Sequence, residues 1–175
     1  MLMVSRQSGV TLIELLVGVA IVVIITALAV PSYSTWIQNS RLRNGAEAVV
    51  NGLQLARAEA VRRNANVNFT LTGAGNTSAW TVGCAVVTAT CPATIQSHTV
   101  GDGSSAAVTL TMVAGGANPV TFTNLGRIST AVTSWNVDNT DLTAANSRDL
   151  RIVVSAGGTV RMCDPNVIAP DSRAC

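Results

Sequence analysis

Apolar and polar positions follow three different rules along this chain. From Leu15 to Val30 the sequence is apolar almost without a break. With Val10 to Glu14 added, it supplies about 20 residues of helix, enough to cross the hydrocarbon core of a bilayer. From Leu42 the rule changes. Leu42, Ala46, Val49, Leu53, Ala56 and Ala60 recur at alternating steps of four and three, the stripe of a helix with one buried face. Arg43, Glu47, Asn51, Gln54, Arg57, Glu59, Arg62 and Arg63 fall largely off that stripe. Pro31, between the two regimes, predicts a kink in a helix that continues through it. Gly45 and Gly52 each cost up to about 1 kcal/mol relative to alanine unless close packing requires them.

After Asn64 the pattern turns to strands. "NVNFTL" (66–71), "WTVGCAVV" (80–87), "AVTLTMV" (107–113), "PVTFTNL" (119–125) and "DLRIVVSA" (149–156) are rich in β-formers and separated by Gly, Asn and Ser. The connectors "GAGNTS", "GDGSSA" and "AGGANP" read as hairpins or loops, and "SAGGTVR" as the turn between the last two strands. An apolar helix face followed by antiparallel strands buries both only if the helix lies across a sheet. The predicted class is α+β. A helix from Thr11 to Arg63 is roughly 80 Å long at 1.5 Å per residue, too long for the head to cover, so half of it is expected to protrude.

Composition fits an anchored chain. Of the 175 residues 48% are hydrophobic and 11% charged, and much of the apolar excess sits between Val10 and Val30. All basic residues are arginine, and from Asn64 onward five arginines stand against six aspartates. A head so close to neutral lacks the overall basic excess of a polyanion-binding domain. The cysteines fall as Cys84 with Cys91 and Cys163 with Cys175. Two close pairs after an export-type segment predict disulfides, the local pairs being favoured although three connectivities satisfy the count. A zinc site is disfavoured, since there is no C-x-x-C and His98 is the single histidine.

Glu14 is the residue that a plain membrane anchor leaves unexplained. An ionised carboxylate at membrane depth costs at least about 2.5 to 3.5 kcal/mol and is usually paired or functional. A conventional signal peptide cut after Ala29, using Ala27-x-Ala29, leaves it equally unexplained. The run Gly9, Val10, Thr11, Leu12, Ile13, Glu14 resembles the class III signal of type IV pilins and type II secretion pseudopilins. The resemblance implies that a prepilin peptidase removes the leader 1–9, with its single basic residue Arg6, by cutting between Gly9 and Val10, and that Val10 is then N-methylated. It also implies that Glu14, fifth in the mature chain, neutralises the N-terminal amine of a neighbouring subunit during assembly. Val10 departs from the phenylalanine commonest in that family.

The rest of the chain resembles the subgroup that includes the H pseudopilin of type II secretion and the FimT and FimU minor pilins. The carrying residues are "LQLARAEAVRRN" (53–64), "VTFTNLGRI" (120–128), "LRIVVSAGGTVRMCDP" (150–165) and Cys175; the stretch 129–147 is read as a loop that carries little of it. The implied organisation is a leader (1–9), a transmembrane and assembly helix (10–30), its amphipathic continuation (31–63) and a β-rich periplasmic head (64–175). The implied protein is a minor pilin or pseudopilin. It is anchored once in the bacterial inner membrane, meets prepilin peptidase and other pilin or pseudopilin subunits, and enters or primes a pilus or pseudopilus near its tip.

Enzyme chemistry has no good candidate: no catalytic residue, cofactor or metal site is expected. His98, Asp102 and nearby serines lie in a connector, where sequence proximity does not make a triad. Asp138, Asn139 and Asp141 lack the spacing of a calcium loop and read as solvated loop. The alternative is DNA capture in natural transformation. Some FimT-like pilins carry a C-terminal G-R-x-R, against Gly158, Thr159, Val160, Arg161 here, so one clamp arginine is replaced. Arg161, Arg127 and Arg151 are the candidate DNA contacts; their bland role is to protect strand edges or to pair with Asp149 and Asp164.

Overall fold

The structure, a computed structural model, describes residues 9–113 and 115–175. The leader residues 1–8 with Arg6 lie outside the described residues, as do the side chains at 28, 29 and 31; the helix into which Pro31 was expected to put a kink continues through that residue. Helix α1 runs Leu12–Arg63. Thr11 begins it by accepting the Glu14 N–H on its hydroxyl at 3.3 Å and the Leu15 N–H on its carbonyl at 3.2 Å. The sequence T-L-I-E thus starts the helix as a Thr-x-x-Glu cap. At the other end Asn64 adopts φ 51°. It donates to the Val61 carbonyl while Ala65 donates to that of Ala60, at 3.3 and 3.1 Å, the paired bonds of a Schellman stop.

The chain forms two compact units, residues up to Trp36 and Ile37–Cys175. In the first, the side chains from Val10 to Ile25 are exposed, and Tyr33 stacks on Trp36 with ring centroids 5.9 Å apart. In the second, every residue of the predicted stripe, Leu42, Ala46, Val49, Leu53, Ala56 and Ala60, is at most 1% exposed.

The head's strands are β1 (Val67–Leu71), β2 (Trp80–Cys84), β3 (Gln96–His98), β4 (Val108–Met112), β5 (Val120–Phe122), β6 (Thr133–Asn139), β7 (Leu150–Val154) and β8 (Val160–Cys163). They form two four-stranded sheets, ordered β3-β2-β1-β5 and β4-β6-β7-β8, rather than the single sheet expected. The ladders between these strands are antiparallel. Neighbours in sequence do not always pair: β4 takes its ladder from β6, with Leu110 opposite Val137. The connectors "GDGSSA" and "AGGANP" therefore cross between sheets, while "GAGNTS" and "SAGGTVR" close the hairpins β1–β2 and β7–β8.

Strand β6 corrects the reading of 129–147 as loop. Its residues TSWNVDN alternate, burying Thr133, Trp135, Val137 and Asn139, but the polar alternate positions hide that period among Ser, Asn and Asp. Phe69 of the first sheet joins the two layers, its ring 5.9 Å from Trp80 and 6.3 Å from Trp135 of the second. The disulfides are Cys84–Cys91 and Cys163–Cys175, the local pairs. Closing loops this short contributes roughly 2 to 3 kcal/mol each in the chain-entropy model. The second bond fastens a tail that also returns to β8 through Asp164, whose N–H donates to the Arg173 carbonyl at 2.8 Å.

The two helix glycines are close-approach positions. A Cβ on Gly52 would lie 2.7 to 2.8 Å from the rings of Trp80 and Phe69, and one on Gly45 2.7 Å from Ser104 Oγ and 3.0 Å from Val108 Cγ1. Gly52→Ala gains about 1 kcal/mol of helix propensity but pushes a methyl into two fixed rings, where overpacking costs about 1 to 3 kcal/mol. The expected result is a net loss of about 1 kcal/mol and a lower thermal midpoint by near-ultraviolet circular dichroism. Gly18→Ala, with nothing within 4 Å, should leave the head's transition unmoved.

Candidate functional site

The N-terminal candidates sit on an open surface. Gly9 and Val10 are exposed, and nothing lies within 4 Å of a Cβ built on Gly9. Glu14 is the third residue of α1 and is exposed among exposed Leu12, Ile13, Leu15 and Leu16. A carboxylate in the first turn suits the positive end of the helix dipole. The apolar surface around it needs lipid or other helices to cover it, and in that setting a lone charge needs a partner.

On the head, Arg127, Arg151 and Arg161 do not converge on one spot. Arg151 donates through Nε to Asn136 Oδ1 at 2.7 Å, and Arg161 through Nη2 to the main-chain oxygen of Cys175 at 2.6 Å. In the β7–β8 ladder Arg161 stands opposite Val153, two residues on from Arg151, so these two share the outward face as diagonal neighbours. Arg127 belongs to a different element, the 123–128 turn closed by the Thr123 N–H on its carbonyl at 2.7 Å. Among the described residues none of the three is ion-paired with an aspartate. The pairing envisaged with Asp149 and Asp164 does not form: Asp149 Oδ2 accepts from Asn166 Nδ2 at 3.4 Å, and Asp164 Oδ1 from the Asn166 N–H at 2.9 Å.

Gly158, read against the G-R-x-R motif, has a structural reason of its own. It turns at φ +78°, and a Cβ there would fall 2.0 Å from the Gly126 carbonyl oxygen and 3.4 Å from Arg127 Cα. That contact brings the β7–β8 turn against the 123–128 turn. Both meet α1, where Arg57 Nε donates to the Gly126 carbonyl at 3.1 Å. An open groove results, with Ala58, Val61 and Val160 as its apolar floor and Arg57, Arg62 and Thr159 at its polar margin. Arg57 and Arg62 were missed as site residues. They lie off the buried stripe, and nothing local in the sequence says that two distant turns fold beside them.

The remaining candidates acquire other roles. His98 lies in edge strand β3 rather than in a connector and stacks on Trp80 at 5.6 Å with planes 10° apart. Asp102 is engaged by the Thr99 N–H and hydroxyl at 3.0 and 2.9 Å, and that main-chain bond first, then the hydroxyl, holds its carboxyl below the usual range. Asn139, read as solvated loop, is fully buried at the end of β6 and donates to the Gln38 main-chain and side-chain oxygens at 3.2 Å. Among the described residues no three of His, Cys, Asp and Glu come close enough to hold a metal ion.

Against known proteins, the profile of the family described as type II transport protein GspH matches residues 45–158, and that of the prokaryotic N-terminal methylation motif matches residues 4–30. Two crystal structures of the type IV minor pilin FimU of Pseudomonas aeruginosa share 18% and 20% identity with this chain, with TM-scores of 0.51 and 0.53. They cover 69% of it in each case, and 90% and 87% of their own chains. The minor pseudopilin EpsH of the type 2 secretion system of Vibrio cholerae has 12% identity and a TM-score of 0.54, covering 73% of this chain and 99% of its own. At these identities the likeness is one of fold. No curated protein sequence matches the chain significantly.

The end of α1 is held by Glu59, whose carboxylate receives Arg62 Nη2 and Arg63 Nε, each at 2.6 Å. The Arg62 hydrogen bond is the main reason its carboxyl titrates below its ordinary value; burial opposes this and Arg63 adds to it. A carboxyl lowered on folding stabilises above its unfolded value, and that contribution is lost as pH falls through the folded one. Acidification from pH 6 to 3 should therefore lower the thermal midpoint of Glu59→Gln by less than that of the parent chain. Equal losses in calorimetry would deny Glu59 this role.

Proposed function

The chain belongs to the family of type II transport protein GspH, and from that premise we propose that it is a minor pilin or pseudopilin subunit, cut between Gly9 and Val10 by prepilin peptidase. It then enters or primes a type IV pilus or a type II secretion pseudopilus, near the tip. Its work is association. The observation that carries this reading is Glu14, the one carboxylate on the apolar, exposed first part of α1, just after Gly9. Before assembly the helix is held in the inner membrane with the head in the periplasm, and Tyr33 and Trp36 supply the aromatic pair favoured at a membrane interface. During assembly Glu14 meets the amine of a neighbour's Val10, replacing two unpaired charges by a pair in a low-dielectric setting.

The Thr11 cap gives Glu14 a second possible purpose, starting the helix. Glutamine at that position preserves the cap pattern and removes the charge. Glu14→Gln should be processed and inserted normally yet fall by about tenfold or more in the sheared filament fraction, because a buried amine then lacks its partner. Normal incorporation of Glu14→Gln with failure of Glu14→Val would leave the cap as the whole function of Glu14. Mass spectrometry of the native protein should find a chain beginning at Val10 and N-methylated. A chain beginning at Val30 would mean cleavage after Ala29 and would sink the processing claim.

DNA capture is the second reading, favoured by the absence of any aspartate partner for Arg127, Arg151 and Arg161 among the described residues. Against it stand the near-neutral head and Thr159 in place of a clamp arginine. The filament reading expects only weak duplex binding, with dissociation constants of about 10⁻⁴ to 10⁻⁶ M near physiological salt. Thr159→Arg should tighten it and steepen its salt dependence by up to about one phosphate contact. Tight binding by the parent chain that is lost in Arg161→Ala would make DNA capture the better reading.

A further inference from the structure

Strand β8 ends the sheet ordered β4-β6-β7-β8, and one of its sides carries no ladder. The hairpin fixes which groups face that side. The Ser155 N–H donates to the Thr159 carbonyl at 3.0 Å, and the register runs on from Val154 opposite Val160 to Arg151 opposite Cys163. Residues of an antiparallel pair alternate between exchanging bonds and turning away, so Arg161 and Cys163 bond to β7 while Val160 and Met162 point their N–H and C=O groups off the sheet. The next outward group, the Asp164 N–H, is taken by the Arg173 carbonyl at 2.8 Å, and Ala174 bridges Asp164 in parallel. The tail thus adds to this edge at Asp164 alone. Among the described residues no main-chain group bonds to the outward groups of Val160 and Met162.

The groove between α1 and this hairpin meets the open edge at Val160. Its volume of about 730 Å³ suits a short segment of chain, and its two cations are unequal. Arg62 is held by both oxygens of Glu59, at 3.1 and 2.6 Å. Arg57 gives Nε to the Gly126 carbonyl and has no carboxylate partner among the described residues, which leaves its Nη groups for a ligand. Edge, floor and cation together select one kind of occupant. Alternating main-chain donors and acceptors are matched by another extended main chain, whereas a phosphodiester, an acceptor only, has no use for the carbonyls of Val160 and Met162. Ala58, Val61 and Val160 suit apolar side chains, and Arg57 suits a carboxylate.

We propose that the edge of β8 receives an extended segment of another polypeptide, apolar at alternate positions and carrying a carboxylate that pairs with Arg57. The segment exchanges main-chain hydrogen bonds with Val160 and Met162 and ends where the tail covers Asp164. At about 3.3 Å per residue, a segment of about four residues covers this edge. The main-chain bonds supply affinity, and the apolar floor with Arg57 supplies specificity. The inference does not use the filament reading, since every group in it belongs to the head.

The test uses the full chain in detergent and a fluorescent, end-blocked hexapeptide of alternating valine and glutamate, followed by polarisation. Two relatives of this probe separate the contacts: one has glutamine for glutamate, the other methyl groups on its main-chain nitrogens. The glutamate peptide should bind saturably and shift the amide signals of Val160 and Met162, the glutamine peptide should bind about tenfold more weakly, and the N-methylated peptide should not bind. Arg57→Gln should bind the glutamate and glutamine peptides equally. Equal binding of the N-methylated peptide, no preference for glutamate in the parent chain, a preference kept in Arg57→Gln, or no binding at up to about 1 mM peptide overturns the proposal. Duplex DNA that displaces the peptide and binds more tightly would make the groove a phosphate site, and would overturn it as well.

Discussion

One continuous helix must satisfy two environments. Up to Trp36 its side chains from Val10 to Ile25 are exposed, and from Leu42 to Ala60 its apolar stripe is buried. The first part therefore requires lipid or other helices, because apolar surface on that scale is not left to water. The second part requires the head's own strands. Glu14 is made costly by the first requirement, since a carboxylate among apolar neighbours in lipid needs something cationic to meet it. Gly45 and Gly52 follow from the second, since the helix backbone must come within contact of Ser104, Val108, Trp80 and Phe69.

The head's two sheets follow from that packing. A single broad sheet would give α1 one face to lie on; two sheets hinged at the Phe69, Trp80 and Trp135 rings enclose the stripe with side chains from both. The connectors that cross between sheets then have no ladder of their own. Asn139 closes the base by reaching Gln38. At the other end, Gly126 and Gly158 allow two turns to meet on Arg57. The groove and the arginines beside it are by-products of closing the core there.

Function in such a molecule is read from surfaces. His98 is spent on Trp80 and Asp102 on Thr99, so the residues most suggestive of chemistry serve the fold. What remains outward is an apolar first part of α1 with one acid and, at the far end of α1, arginines beside exposed Val61 and Leu125. Both belong to a subunit that associates.

The sequence by itself determined the features whose cause is local. Periodicity named the buried stripe residue by residue, Gly9 to Glu14 marked the start, and the spacing of the cysteines favoured the pairs that form. Even the helix cap at Thr11 and the stop at Asn64 are written in neighbouring residues. The tertiary structure alone decided what depends on residues far apart in the chain. Strand β6 was hidden because its buried alternate positions include Thr133 and Asn139, polar residues that become interior only when β4, β7 and Gln38 bond to them. The division into two sheets and the placing of Arg57 beside Gly126 have the same origin. They come from contacts between separate elements of the chain, and a one-dimensional pattern records what each residue prefers but not which distant backbone will arrive to meet it.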